Sequence, residues 1–309
     1  MKNRTRIRLL LAAGASLGTI AAAPALAQDA TWSATPENVV FGGRSDYQDP
    51  DNWVPATVPT GTATFDATSE TDIFFENLVG SPPISIGRFV FNAGAPAYTF
   101  SLQSDDFTFS GEGIVNNSTA AQTLIVGNRS DLHFINSSSA GSAHLIGEGS
   151  QGRISYENDS NAGTSQITIG ENGFGRLEFT DNSSAADATI SNPFGNIFFF
   201  GNSTAGNSQI TNLNGMGFSG SSSLGSAVIT NPSGLRISAD ASGGGATVIN
   251  ETGGLVDISQ GDGFAASTSI GSLSGAGNVQ LGGRNLTLGA LNLGDTIGGA
   301  ITDGGDLGG

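Results

Sequence analysis

Apolar residues in this chain come in short bursts of alternating polarity, separated by clusters of Gly, Asn, Ser and Pro. Leu132-His133-Phe134, Ile154-Ser155-Tyr156, Leu177-Glu178-Phe179, Ile197-Phe198-Phe199, Met216-Gly217-Phe218 and Leu235-Arg236-Ile237 each read in, out, in. Alternation with period two marks half-buried strands, because successive side chains of a strand point to opposite faces. A second set of bursts follows at a fixed distance. Ala143-His144-Leu145, Ser165-Gln166-Ile167, Ala188-Thr189-Ile190, Ser208-Gln209-Ile210 and Ala246-Thr247-Val248 again enclose one outward residue. Residues 147–152, Asn192-Pro193 and Asn231-Pro232 lie between bursts and carry turn chemistry. No capped amphipathic helix is expected beyond the N-terminal segment.

The bursts form a repeat. Taking Ile114, Phe134, Tyr156, Phe179, Phe199, Phe218 and Ile237 as anchors, the spacings are 20, 22, 23, 20, 19 and 19 residues. A degraded eighth copy is placed at Val256. Four residues past the anchor stands Ser in six copies, from Ser118 to Ser222; six past it stands Ala in five, from Ala120 to Ala205. Eleven past it the residue is aliphatic in all seven, from Ile125 to Val248. A unit this short cannot bury its own apolar face and must stack on its neighbours. The expected fold is therefore all-β: a single-stranded parallel β-helix, a solenoid with coils of about 20 residues. Propeller blades need about twice that length. Small residues at the fourth and sixth positions suit a tight corner, where serine is expected to bond nearby backbone.

Residues 28–110, with Trp32 and Trp53, do not show the repeat and are expected to form an N-terminal β-rich cap in which both tryptophans pack. The repeat proper occupies 111–270, and 271–309 read as C-terminal coils, with an exposed, unpaired final coil near 285–309. The first 27 residues have the three parts of a secretory signal peptide: basic Lys2, Arg4, Arg6 and Arg8, an apolar stretch, and Ala25-Leu26-Ala27 before the cleavage point. The apolar stretch is short for a bilayer span.

Removing that segment takes four basic residues and no acid, leaving seven basic residues against 27 acids, a formal charge of −20. Such a surface excludes nucleic acid as a partner, since phosphates require Lys and Arg clusters, and it disfavours anionic lipid. With no cysteine, the chain cannot use disulfides, which suits passage across an envelope in an unfolded state. Its 37% hydrophobic and 12% charged residues place it among folded chains rather than disordered ones.

Candidate chemistry is sparse. His133 and His144 are the two histidines, both at outward positions of one copy, and read as solvated surface residues. Metal-ligand spacing is lacking, and Asp303-Gly304-Gly305-Asp306 is a single acidic turn. Outward acids read as scattered, Glu178 having Ser155 and Phe198 as neighbours, and Arg153, Arg176 and Arg236 as separate. Phe198 and Phe200 form an outward aromatic pair, read as partly covered by a loop. No catalytic, cofactor-binding or metal-binding residue is assigned, and no cofactor is expected. Because parallel β-helices include polysaccharide lyases and glycosidases, an enzyme of that kind is the alternative, on fold analogy alone.

Four stretches resemble a known group. Asn52-Trp53-Val54-Pro55 with the following Thr57-Val58-Pro59-Thr60-Gly61-Thr62-Ala63-Thr64-Phe65, then 91–100, are similar to the N-terminal region of large autotransporter passenger domains. Residues 199–210, FFGNSTAGNSQI, resemble their Ser-Thr-Ala-Gly passenger repeats, and 271–305 are similar to the stretch just before their glycine-rich strand repeats. The resemblance implies export by the signal and secretion through a C-terminal outer-membrane β-barrel. It implies a non-catalytic, structural or adhesin-like role at the cell surface. Implied partners are a host-cell or extracellular-matrix surface, or other copies of the chain. The sequence ends at Asp306-Leu307-Gly308-Gly309 without the alternating strands of a barrel. Outer-membrane attachment is thus expected only through a barrel absent from this chain. The expected location is the cell surface, the outer membrane or the medium, and the periplasm if the reading frame is truncated.

Overall fold

The computed structural model describes residues 27–36, 39–40, 43–75, 83–103, 106–149, 151–238, 240–259 and 267–304. The signal-peptide assignment and the acidic turn beyond Gly304 fall outside them. The chain winds into a β-solenoid of about ten coils, with roughly 22 residues per coil. Among the described residues its one helical element is a 3₁₀ turn, Pro50–Asn52.

Each coil contributes one strand to each of two long parallel sheets. In the first sheet Asp131–Phe134, Arg153–Tyr156, Arg176–Phe179, Asn196–Phe199, Gly215–Phe218 and Gly234–Ile237 pair in unbroken register. The second sheet runs through His144–Gly147, Gln166–Ile169, Thr189–Asn192, Gln209–Asn212, Val228–Asn231 and Gly243–Asn250. Single bridges at the corner, Ser139 to Asn161, Ser184, Thr204, Ser223 and Ser242, make a third column. Inward positions meet their counterparts one coil on. Phe134, Tyr156, Phe179, Phe199 and Phe218 form a stack with centroids 4.4–4.8 Å apart and planes within 8°. The strand spacing sets this distance, so the rings lie face over face.

The corner explains the small-residue columns. Two residues past the anchor, Asn136, Asn158, Asp181, Gly201 and Gly220 have positive φ, a conformation that Gly and Asn tolerate best. Seven past it, Gly141, Gly163, Ala186, Gly206, Gly225 and Gly244 repeat that turn. Between these turns the bridging Ser139, Asn161, Ser184, Thr204, Ser223 and Ser242 accept, through their side chains, the N–H two residues on. The serine column expected to bond backbone is the preceding one; Ser118 does so, accepting from Ala120 N–H at 3.2 Å and donating to Ala120 O at 3.3 Å, but for the rest of the column that expectation is corrected. Ser138, Ser160, Ser183, Ser203 and Ser222 are buried, and their hydroxyls make no hydrogen bond. The nearby turn carbonyls are taken by backbone N–H groups, as Ser138 N–H takes Ile135.

The register also moves the two ends of the repeat. Phe109, not Ile114, pairs with Phe134 and stacks on it at 5.1 Å, 25 residues separating them. In the same coil Leu124, not Ile125, meets Leu145. Val256 pairs with Leu235 rather than Ile237. The ladders continue through the segment read as a cap: Thr62–Phe65 pairs in parallel with Ile84–Phe91, and that strand with Asp106–Asn116. At the N-terminal end antiparallel pairs finish both sheets, Ala30–Trp32 with Trp53–Val54 and Val39–Val40 with Arg44–Asp46. Trp32 and Trp53 are buried there, 5.0 Å apart edge to face, and Trp53 Nε1 donates to Tyr47 O at 2.8 Å.

At the other end, Asn285–Thr287 and Ile301–Thr302 each pair with the preceding coil. The terminal coil is thus not unpaired, and Leu286 and Leu288 pack on the core. Leu291, Leu293 and Ile301 stay exposed. Buried Arg284 donates to Ile237 O and Ile258 O at 3.3 and 3.1 Å.

All three tyrosines of the sequence, Tyr47, Tyr98 and Tyr156, are buried. Burial raises each phenol above its ordinary pKa, and the Asp66 charge adds to this at Tyr98. A folded-state pKa above the unfolded value near 10 gives stability that is complete below about pH 10 and is lost as pH rises further. In an alkaline titration the tyrosinate absorbance is therefore expected to stay flat until the β signal collapses, then to appear for all three together. A tyrosine ionising near pH 10 in the folded chain would place that residue outside the core.

Candidate functional site

The outward face of the first sheet gathers most of the organised polar chemistry. Two outward columns run along it, because each strand presents its first and third residues to solvent. One reads Asp131, Arg153, Arg176, Asn196, Gly215, Gly234 and Leu255; the other reads His133, Ser155, Glu178, Phe198, Gly217, Arg236 and Asp257.

The acids and arginines read as scattered come together here. Arg153 and Arg176 are register partners. Arg153 Nη2 lies 2.7 Å from Asp131 Oδ2, and its Nη1 lies 3.3 Å from Glu178 Oε2. Arg176 Nη2 takes the other Glu178 oxygen, Oε1. Burial lowers the pKa of Arg153, but the bond and charge of Asp131 and those of Glu178 outweigh it, so the pKa is raised. Reading each column by itself missed this, because an arginine stem reaches diagonally to the other column of the next coil.

His133, Ser155 and Glu157 close a triangle. His133 Nδ1 is 2.9 Å from Glu157 Oε1 and 2.8 Å from Ser155 Oγ, and Ser155 Oγ donates to Glu157 Oε1 at 3.0 Å. In a nucleophilic triad the serine and the acid engage opposite ring nitrogens. Here both engage Nδ1, while Nε2 faces Asp131 Oδ2 at 4.0 Å. Ser155 is 3% exposed, which closes it to a substrate. His144 lies on the second sheet between Thr123 and Gln166, so the two histidines belong to different faces.

Farther along, the face opens into a groove of about 250 Å³. Gly215, Gly217 and Gly234 replace side chains there, leaving Met216, Leu235 and backbone as the floor. Phe198 and Asn196 stand on one side, and Arg236, Leu255 and Asp257 on the other. Arg176 sits over the Phe198 ring, with Cζ 4.7 Å from the centroid, and Phe200 stacks beside it at 5.7 Å. Arg236 Nε is 3.5 Å from Asp257 Oδ2. The Asp257 carboxylate is anchored through Oδ1 by the N–H and hydroxyl of Ser259, at 2.9 and 2.6 Å. At the corner leading in, Phe194 and Leu213 are 61% and 49% exposed.

Among the described residues, no group of three or more His, Cys, Asp or Glu is arranged to hold a metal ion. Gly243 opens the strand Gly243–Asn250, but Gly244 holds the corner turn at positive φ and the ladder register shifts between Gly243 and Thr247. Set against known proteins, the chain matches no family model, no curated sequence and no solved structure.

Proposed function

We propose that this chain is the exported passenger of an autotransporter, a non-catalytic rod that serves as a structural or adhesin-like element at the cell surface. The observation that carries the non-catalytic part is the mutual neutralisation of ionisable groups on the outward face. Both oxygens of Glu178 are held by arginines, and the one histidine–serine pair shares a single nitrogen with its acid. Glycosidic cleavage needs two carboxyl groups facing each other across the substrate. The export and surface parts rest on the signal-like first 27 residues and on the likeness of 52–65, 91–100 and 199–210 to autotransporter passengers. Its partners on this reading are a host-cell or matrix surface, or further copies of the rod.

The alternative is a β-helix lyase or glycosidase, favoured by one observation, the gathering of Asp131, Glu178, Arg153 and Arg176 on one face. One experiment separates them. The purified chain from Gln28 onward is incubated with cultured cells, matrix-coated plates and a polysaccharide panel. Retention on cells or matrix with no new reducing ends or unsaturated products is the expected result. Turnover that disappears in Glu178→Gln would reverse the assignment.

A further inference from the structure

Cleavage after Ala27 makes Gln28 the first residue of the exported chain. Gln28 is exposed, yet the loop Thr57 to Gly61 holds it in place. Its carbonyl accepts the N–H groups of Thr60 and Gly61 at 2.9 and 2.8 Å. The neighbouring Asp29 carboxylate accepts the Thr62 N–H at 2.6 Å. A Cβ at position 61 would collide with that carboxylate and crowd Gln28 O, so glycine is what lets the loop lie this close.

Two threonine hydroxyls of the same loop engage the rest of the residue. Gln28 N–H donates to Thr60 Oγ1 at 3.0 Å, and Thr57 Oγ1 donates to Gln28 Oε1 at 3.0 Å. The side-chain Nε2 has no hydrogen-bond partner among the described residues. The seat thus offers one neutral acceptor to the nitrogen and one donor to the side-chain carbonyl. Before cleavage that nitrogen is an amide with a single N–H. Cleavage turns it into an ammonium with three donors and a charge, for which a lone hydroxyl is a poor match. Ring closure restores the match. The neutral α-amine attacks Cδ, the N–Cδ bond forms, the Cδ–Nε2 bond breaks, and ammonia leaves with the proton that the amine gives up. The product is a lactam with one N–H and one C=O on adjacent atoms, the two groups the threonines already bind. An α-amino group has about a tenth of its molecules neutral at pH 7, so the step needs no oxidant or co-reactant.

We propose that Gln28 of the exported chain closes to pyroglutamate, with the lactam seated on the hydroxyls of Thr57 and Thr60. The inference rests on the export reading, through cleavage after Ala27. It gives the rod a blocked N-terminus that carries no positive charge and offers no amine to an aminopeptidase. The full chain is expressed with its own first 27 residues, and the exported protein is purified and held at pH 8 until its mass is constant. Tandem mass spectrometry then reads the N-terminal peptide.

The expected peptide begins at residue 28 and is lighter than its sequence by one ammonia. Gln28→Asn, whose shorter side chain would have to close a four-membered ring, is expected to keep an open amine. A peptide that begins at Gln28 with an open amine would overturn the proposal and leave export standing. A peptide that retains residues 1–27 would overturn both, and cleavage at another bond would overturn the proposal alone. The seat has its own readout, the rate at which a pyroglutamyl peptidase removes the block. Release requires local opening of the terminus, so the double variant Thr57→Val, Thr60→Val, which loses both hydroxyl bonds, is expected to be unblocked about fivefold faster or more. Both positions lie on the loop surface, and equal melting temperatures would show that the fold is kept. Equal release rates for parent and double variant would remove the two threonines from the site.

Discussion

Ile190→Asp is expected to destabilise the chain by about 4 kcal/mol or more, while Thr189→Asp, one residue earlier, changes stability by about 0.5 kcal/mol or less. Ile190 is 1% exposed and lies between Ile167 and Ile210 in the inward column of the second sheet. A carboxylate there meets only apolar neighbours above and below, with no donor to replace its hydration. Thr189 points to solvent from the same strand. The pair therefore tests side-chain parity with one chemistry at adjacent positions. Because each coil of a solenoid touches only its neighbours, the damage should split the ladder, and the thermal transition of the Ile190→Asp variant is expected to broaden or divide. Ile190→Val serves as a fold control at about 0.5–1.5 kcal/mol. Equal melting temperatures for the two aspartate variants would mean that the register is wrong.

Parity of this kind was legible in the sequence, whereas coil length was not. From Phe134 to Ile237 every anchor falls where the alternation places it, since an inward aromatic is confined to one face whatever the turns do. Spacing is a weaker guide because turns absorb extra residues without disturbing the ladders. The coil from Phe109 to Phe134 is longer than those that follow it up to Ile237, and its strand Asp106–Asn116 carries a register shift against Ile84–Phe91. An alignment held near 20 residues therefore lands on Ile114, which instead sits beside the corner, its N–H donating to Ser139 O. The same reason hid the coils within 28–110. Their strands alternate, but their turns differ from those of the later repeats, so no fixed period links them.

The outward face was less legible than the core. Burial imposes a pattern on inward residues, but outward ones are free to vary, so no column shows what a neighbouring column supplies. The Asp131–Arg153–Glu178–Arg176 set appears only when coils are in register and long side chains cross between columns. The groove leaves a faint trace, the run Gly215, Gly217 and Gly234 at outward positions. Glycine in a strand marks a close approach or an absent side chain, and that cue was present in the sequence.

Asparagine was misread for a different reason. Asn192 and Asn231 stand before proline and look like turn residues, yet Asn192, Asn212, Asn231 and Asn250 are buried in one inward column that earlier coils fill with Val126, Gly147 and Ile169. Asn192 Nδ2 donates to Asn212 Oδ1 at 3.0 Å, Asn212 to Asn231 at 2.8 Å, and Asn231 to Asn250 at 2.9 Å. Asn212 Nδ2 also donates to Gly234 O at 2.8 Å. Asn212→Asp keeps the shape and the acceptor but turns both donated bonds into contacts between acceptors. At pH 7 the expected cost is about 3–5 kcal/mol, that of an uncompensated buried charge. The folded chain should hold this carboxyl protonated above its unfolded pKa near 3.9. Between the two pKa values the folded state then binds more protons, so the variant loses stability relative to the parent as pH rises. The deficit is expected to be smallest below about pH 4, where the neutral carboxyl can donate one bond, and to grow by about 1.4 kcal/mol per pH unit above that until it levels off. Asn212→Ala removes the same bonds without a titrating group. Its deficit, about 1–3 kcal/mol, should not change with pH between 4 and 7. Urea melts of the parent and the two variants at pH 4, 5, 6 and 7 read both quantities, and an Asn212→Asp deficit that stays constant across that range would remove the donor ladder from the account of stability.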